Sequence, residues 1–591
     1  MTMGGENISS PPTLDWRIIM ETKAIEISHY SYTYPGANSP TLTDINLTVD
    51  KGEFVILIGP SGCGKSTLIQ SLNGIIPHIK GGDVHGEILV NGKLVAEHRV
   101  QEMAANIGLV FQDPESQLCN LFISDEVAFG PENILLSKEE ILERVQESLG
   151  YVGLSDASWK YVYEISGGQQ QRLAISSVLA LEPEILAFDD PTANLDPVGT
   201  AEIVEVLRKM KSDQRTIIIA TPWLDEFITM ATKLVVLDKE GRIFACGQPN
   251  EILTKYGKML LEEMGVWIPQ IPELEIKLQE KKIIPAETVS LTVDESLNKL
   301  KNLDFHSPSS SIQKDNNPET IVSVNRVSFS YPDGTRALKG VSFDIQKAKL
   351  TAILGPNGSG KSTIAKLMIG LLPLSEGDIR ICDFDLKKNK TSDITKKVGF
   401  VFQNPEHQFV QDTVLDEITY SLKVIGYKED EIQQKAEEMI SLFELEEHRD
   451  RHPYVLSGGQ KRRLSVATML VGQPELLILD EPTYAQDFRN VSSLMSVIKQ
   501  QMSKGVSVVM ITHNMRIVQD YADDVIVISH GNLIYQGKPE KLWLSDDYTT
   551  DATLKQPPLQ RLMEELRKLS LEIPDEVRTV NQFVDCIGGG N

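Results

Sequence analysis

Cysteine is scarce and scattered. Cys63, Cys119, Cys246, Cys382 and Cys586 are the only five in 591 residues, and none is spaced as CxxC. Neither a disulfide framework nor a zinc site is expected, and a reducing compartment fits. Long apolar runs are missing too. Phe54–Ile58 and residues 217–220 and 525–528 are four or five residues long, whereas a membrane-crossing helix needs about 18 to 20. No direct membrane span is expected, and any membrane role would come through a partner. The opening MTMGGENISSPPTLDW has no basic start ahead of an apolar stretch, so no secretory leader is expected. Positive charge is in deficit: Lys and Arg total 58 against 83 Asp and Glu, a net charge of −25. Such a chain is ill suited to gripping a phosphate backbone over a wide surface, so no nucleic-acid partner is expected. Hydrophobic residues at 41% and charged residues at 24% still exclude wholesale disorder, and the length implies two to four compact units.

What is present is present twice. GPSGCGKST at residues 59–67 recurs as GPNGSGKST at 355–363, an offset of 296. VFQDPESQ around Gln112 recurs as VFQNPEHQ around Gln403, offset by 291. The same offset relates SGGQQQR from Ser166 to SGGQKRR from Ser457, Asp189 to Asp480, and Thr221 to Thr512. Blocks that keep order and spacing identify a tandem duplication of a unit of about 240 residues.

Each copy reads as α/β. Phe54–Ile58 is an apolar run ending in a Gly-rich turn, the mark of a buried parallel strand feeding a helix. Residues 185–188 and 217–220 read as further buried strands, matched by 476–479 and 508–511. Polar, helix-forming stretches at 137–149 and 428–443 predict a helical subdomain in each copy. The expected organisation is an extension over 1–23, a domain over 24–265, a charged and Ser/Asn/Pro-rich linker over 266–320, a second domain over 321–561, and a tail over 562–591. Within the linker, HSPSSSIQKDNNP at 306–318 reads as flexible. EEMGVWIP at 262–269, echoed by RKLSLEIP at 567–574, points to a small C-terminal extension on each half.

GxxxxGKS is a phosphate-binding loop. Its candidate residues are Gly59, Pro60, Ser61, Gly62, Cys63, Gly64, Lys65, Ser66 and Thr67 in the first copy. In the second they are Gly355, Pro356, Asn357, Gly358, Ser359, Gly360, Lys361, Ser362 and Thr363. The glycines let backbone N–H groups converge on a phosphate at a helix N-terminus, the lysine adds a point charge, and the serine hydroxyl ligates Mg²⁺. Each copy follows an apolar strand and precedes an apolar helix, which is the context this chemistry needs. An acid on a neighbouring strand must complete the metal site. Asp189 and Asp480, each ending an apolar run, fit that role; the competing reading is an N-cap or a solvent-facing aspartate. ATP and Mg²⁺ are the expected cofactors.

SGGQ, a glutamine after an apolar strand, and DDPT or DEPT at a strand end together resemble the ATP-binding-cassette ATPase family. The resemblance covers nearly the whole chain apart from the linker, the N-terminal extension and the C-terminal tails. It implies two tandem P-loop NTPase domains, each with a helical subdomain and a small C-terminal extension. It further implies that Ser166, Gly167, Gly168 and Gln169, and likewise Ser457, Gly458, Gly459 and Gln460, contact the γ-phosphate of ATP bound to the opposite half. Tyr34 and Tyr331 resemble the aromatic that stacks on adenine; a strand-end core tyrosine is the other reading. Mg²⁺ would be held through Ser66, Gln112 and Asp189 in one half, and Ser362, Gln403 and Asp480 in the other.

The halves differ where hydrolysis is decided. Asp480 is followed by Glu481 and Thr512 by His513, whereas the first half has Asp190 and Pro222. Glu481 can polarise the attacking water, with His513 and Gln403 holding the geometry. Asp190 is one methylene shorter, and misplacements of ~1 Å can cost about 10²-fold in rate. One composite site is therefore expected to hydrolyse and the other to be degenerate. The alternative is that both turn over at different speeds.

FQDPESQ, FQNPEHQ and DEVAFGPENILLSKEEI resemble the ATPases of energy-coupling-factor importers of vitamins or transition-metal ions. That resemblance implies a transmembrane coupling protein and a small substrate-binding membrane protein as partners. It implies a peripheral location on the cytoplasmic face of the cell membrane. Apolar side chains at 118–122 and 409–414 would line docking grooves or, alternatively, fill the core of the helical subdomains. The other functional readings are the fused ATPase of a sugar-type importer and a soluble ribosome-associated cassette ATPase.

Overall fold

A computed structural model describes residues 23–193, 195–303, 305, 319–483, 486–543 and 553–587. The Ser/Asn/Pro-rich stretch 306–318 and the N-terminal extension to residue 22 lie outside the described residues.

Each half carries two sheets. In the first, a six-stranded sheet has the spatial order Ile243–Gly247, Lys233–Leu237, Phe54–Ile58, Thr216–Ala220, Ile185–Asp189, Ile107–Val110. All neighbours are parallel except the edge strand Ile243–Gly247. The second half repeats this with Leu350–Leu354 between Ser507–Ile511 and Asp524–Ser529. Phe54–Ile58 and Leu350–Leu354 are buried along their whole length, as unbroken apolar runs must be when both sheet faces are covered. A four-stranded antiparallel sheet packs over each core, with Lys23–Thr33 central in one half and Thr320–Ser330 in the other. The expected helical subdomains form from Ile123–Asn133 and Lys138–Tyr151, and from Val414–Ile425 and Glu429–Leu442. Among the described residues, no helix is long and apolar enough to cross a membrane.

The stretch expected to be a charged linker is different in its first part. Gln270–Glu280 and Val293–Leu300 are helices, and they pack with the C-terminal helices Pro558–Lys568 and Val580–Ile587 around a separate core. Ile271, Leu274 and Leu278 recur at helical spacing and meet Leu559, Leu562 and Phe583. Overall charge masked this apolar stripe, because one narrow stripe is enough to dock a helix. Helix Pro558–Lys568 also runs across the expected boundary at 561/562.

Candidate nucleotide sites

The central strand of each core sheet ends in the Gly-rich loop and continues as a helix, Lys65–Leu72 or Lys361–Met368. Gly360 takes a left-handed φ of 105°, and a Cβ there would sit 2.6 Å from the Ala337 carbonyl oxygen. Only glycine fits. Lys361 is 6% exposed, and its ammonium donates to the carbonyls of Gly355 and Pro356 at 2.8 Å each. Lys65 does the same with Gly59 and Pro60 at 2.9 Å. Burial pushes the Lys361 pKa down, so the loop holds a poorly compensated cation and suits a phosphate. Ser66 donates to Asp189 Oδ1 at 2.8 Å, and Ser362 bonds Asp480. These hard oxygen donors suit Mg²⁺. Burial raises both aspartate pKa values, and a cation beside them would offset that. The hydroxyls of Tyr34 and Tyr331 lie 3.1 and 3.0 Å from Thr67 and Thr363, holding half-buried rings beside each loop.

The next acid along each strand is strained. Asp190 and Glu481 have φ of 45° and 48°, a conformation costing of order 1–3 kcal/mol for non-glycine residues. Their N–H groups donate to Ala220 O and Ile511 O at 2.7 and 2.9 Å. Burial, reinforced by the Asp189 charge, pushes Asp190 up to about 7; burial also raises Glu481. His513 Nε2 lies 3.4 Å from Glu481 Oε1 and 3.1 Å from Asn357 Oδ1. Burial and the Lys361 charge depress His513 to about 4, so it is neutral near pH 7. Its approach to Glu481 is therefore not an ion pair. Glu481 Oε1 accepts no hydrogen bond among the described residues, leaving a buried carboxylate oxygen available to a water. In the first half Asp190 Oδ1 meets, among the described residues, the Thr221 hydroxyl at 3.4 Å.

A cavity of about 1220 Å³ opens between the halves. Tyr331, Lys361, Gln403, Asp480, Glu481 and His513 line it from the second half, and Asp190 and Leu195 from the first. Ser166, Gly167, Gly168 and Gln169 do not. Ser166 and Gly167 stay exposed, as do Ser457 and Gly458, and each serine caps its own helix through the glutamine three residues on. What crosses the seam is the turn that follows each acid. Asp196 Oδ2 accepts from Asn357 N, and Asp487 Oδ2 from Ser61 N, both at 2.9 Å. The signature starts sit behind those turns, Gly168 beside Gly199 and Gly459 beside Gln486 and Asn490.

Three sets of residues escaped the sequence reading. Asp196 and Asp487 are one; their shared offset of 291 ahead of a helix was the available signal. Glu126 and Glu417, also 291 apart, are buried and hold the loop after each glutamine block. Glu126 accepts from Cys119 N and Asn120 N at 2.9 and 2.7 Å, and Glu417 from Val410 N and Gln411 N at the same distances. The third breaks the symmetry. Buried Arg462 donates to the carbonyls of Phe402 and Gln403, whereas Gln171, its counterpart, reaches only Phe111 O at 3.3 Å. Burial brings Arg462 down to about 10.

The family described as "ABC transporter" matches residues 42–193 and 338–484, and the chain belongs to it. The protein is the ATP-hydrolysing subunit of a transporter and acts with transmembrane partners. A putative ABC transporter ATP-binding protein of Methanosarcina acetivorans is 36% identical, over 93% of this chain and 91% of its own. The putative HMP/thiamine import ATP-binding protein YkoD of Bacillus subtilis is 35% identical over 88% and 92%. Among solved structures, cbiO1 of Clostridium perfringens, part of the ABC transporter complex cbiONQ, is similar at 32% identity. It covers 42% of this chain and 99% of its own, with a TM-score of 0.37.

Proposed function

We propose that the chain powers an energy-coupling-factor importer of a vitamin or metal ion from the cytoplasmic face of the membrane. Its partners would be a transmembrane coupling protein and a small substrate-binding membrane protein. The observation that carries this reading is an open groove beside the first glutamine block. It has a volume of about 260 Å³ and is lined by Leu118, Asn120, Leu121, Val162, Tyr163 and Gln170, with Glu115. Leu121 and Tyr163 are 67% and 70% exposed, and Phe122, Tyr161 and Tyr163 stack successively at 4.6 and 5.1 Å. Large exposed apolar groups around a concavity suit an inserted helix. The corresponding positions of the second half include Asp412, Thr413, His452 and Tyr454, so the second half would offer the partner a different, more polar surface. The relative named for HMP/thiamine import supports the choice of cargo class.

In the chemistry, Lys361 orients the phosphates and Glu481 takes the proton of the attacking water. A base whose pKa is raised by burial holds that proton well. Neutral His513, bonded to Asn357 at 3.1 Å, stands 3.4 Å from the Glu481 carboxylate at the edge of the reacting centre. Mg²⁺, when bound at Ser362 and Asp480, would neutralise phosphate charge. The first site, with Asp190 and Pro222, binds ATP and turns over slowly. Closure around two nucleotides pulls the glutamine blocks, and Glu126 and Glu417 carry that movement into the grooves.

The test is co-purification. Leu121→Ser with Tyr163→Ser should release the chain from membranes and abolish cargo uptake while the detached ATPase persists. Full membrane recovery of that double variant rules the docking surface out. Uptake of labelled thiamine precursor against labelled cobalt then selects the cargo.

A further inference from the structure

Trp267 follows the first half in sequence yet is 2% exposed within the core of the second. Phe488 packs edge-to-face on its indole at 4.9 Å, and three further contacts converge there. Trp223, the residue after Pro222, stacks on it at 4.6 Å with planes 27° apart. Its Nε1 donates to the carbonyl of Gln486 at 3.1 Å, next to Asp487, which holds Ser61 of the first P-loop. The Arg516 guanidinium lies 4.8 Å from the ring centre, three residues beyond His513. Arg516 is itself fixed by Ile268 O at 2.8 Å and by the buried Glu273 carboxylate.

One side chain thus touches the loop that follows Thr221 in the first half, the turn that grips the first P-loop, and the helix behind the second site's histidine. The internal repeat places Asn514 opposite Trp223 and Glu572 opposite Trp267, so the link exists on one side only. A rigid ring in a close-packed setting does not absorb displacement. If the loop at 221–223 shifts when nucleotide enters the first site, the stack must slide, and Gln486 and Arg516 move with it.

We propose that Trp267 is a positioning residue that transmits nucleotide occupancy of the first site to His513 in the second. The inference rests on the two-site reading above. It predicts that ATP binding is cooperative in the full-length chain, with a Hill coefficient clearly above 1 and bounded by the two sites. Trp267→Leu and Trp223→Leu each bring the coefficient to about 1, and the double variant is no worse than either single one. Trp267→Phe keeps a ring against Trp223 and Arg516 and retains most of the cooperativity.

A wild-type coefficient of 1 overturns the proposal. So does unchanged cooperativity in the leucine variants, including the case where only their thermal midpoint falls, since that assigns the ring to core packing alone. Should Trp267→Leu not fold, half-buried Trp223→Leu decides. Full ATPase in Glu481→Gln is a separate result, which removes the site assignment instead.

Discussion

The carboxylate of Asp196 serves two masters: Oδ1 caps its own helix at Gly199 N, and Oδ2 accepts from Asn357 N of the sister half, each at 2.9 Å. Asp487 repeats the arrangement with Asn490 and Ser61. Each nucleotide loop is therefore gripped by the other half.

Replacing Asp196 by Asn offers one oxygen where two are used, so either the cap or the cross-seam bond is lost. Hydrogen bonds to charged groups contribute about 1.5–3 kcal/mol. We expect kcat/KM for ATP to fall about tenfold or more, each 1.4 kcal/mol being roughly a factor of ten. Asp487→Asn acts on the first P-loop and, on the proposed asymmetry, should change steady-state turnover much less. Phosphate-release kinetics on both variants decide this.

Glu481→Gln should lower steady-state ATPase by about 10²–10⁴-fold, the range for losing a general base. Asp190→Asn should change it little. Similar losses from the two would disprove unequal sites.

His513 titrates near 4 in the fold against an ordinary 6.5. Between these values the unfolded chain binds more protons, so stability rises with pH from about 4 to about 6.5 and is complete above. His513→Gln removes this dependence. In thermal unfolding of the nucleotide-free chain, the variant should gain on wild type at about pH 5 and not at about pH 7.5. An equal difference at both would sink the assignment of a buried neutral imidazole.

The fold was legible because duplication printed the central core strands and the phosphate loop twice, with an apolar run before each loop. Glu481 against Asp190 and His513 against Pro222 could be compared for the same reason. Trp267 could not be recognised. Its partners Trp223, Gln486 and Arg516 are distant in sequence, and it lies in a stretch whose charge suggested a tether. The signature residues were named, but sequence carries no information on how far apart the halves stand, and here they remain outside the cavity.

Gly265 has φ of 71°, and a Cβ there would lie 2.5 Å from that of Arg489. Gly265→Ala should therefore destabilise the chain by about 1–3 kcal/mol, lowering the thermal midpoint. Because Trp267 lies two residues on, the same variant should also loosen the indole, read as a red shift in its emission.

The separate core shared by residues 271–300 and 559–586 makes the halves a pair of tongs joined at the handle. Tethering of this kind replaces a bimolecular encounter with an effective concentration in the millimolar range. Product can leave by a swing of the jaws while the lobes never part company. Turnover is then independent of how dilute the protein is, and each lobe keeps the partner it was translated with.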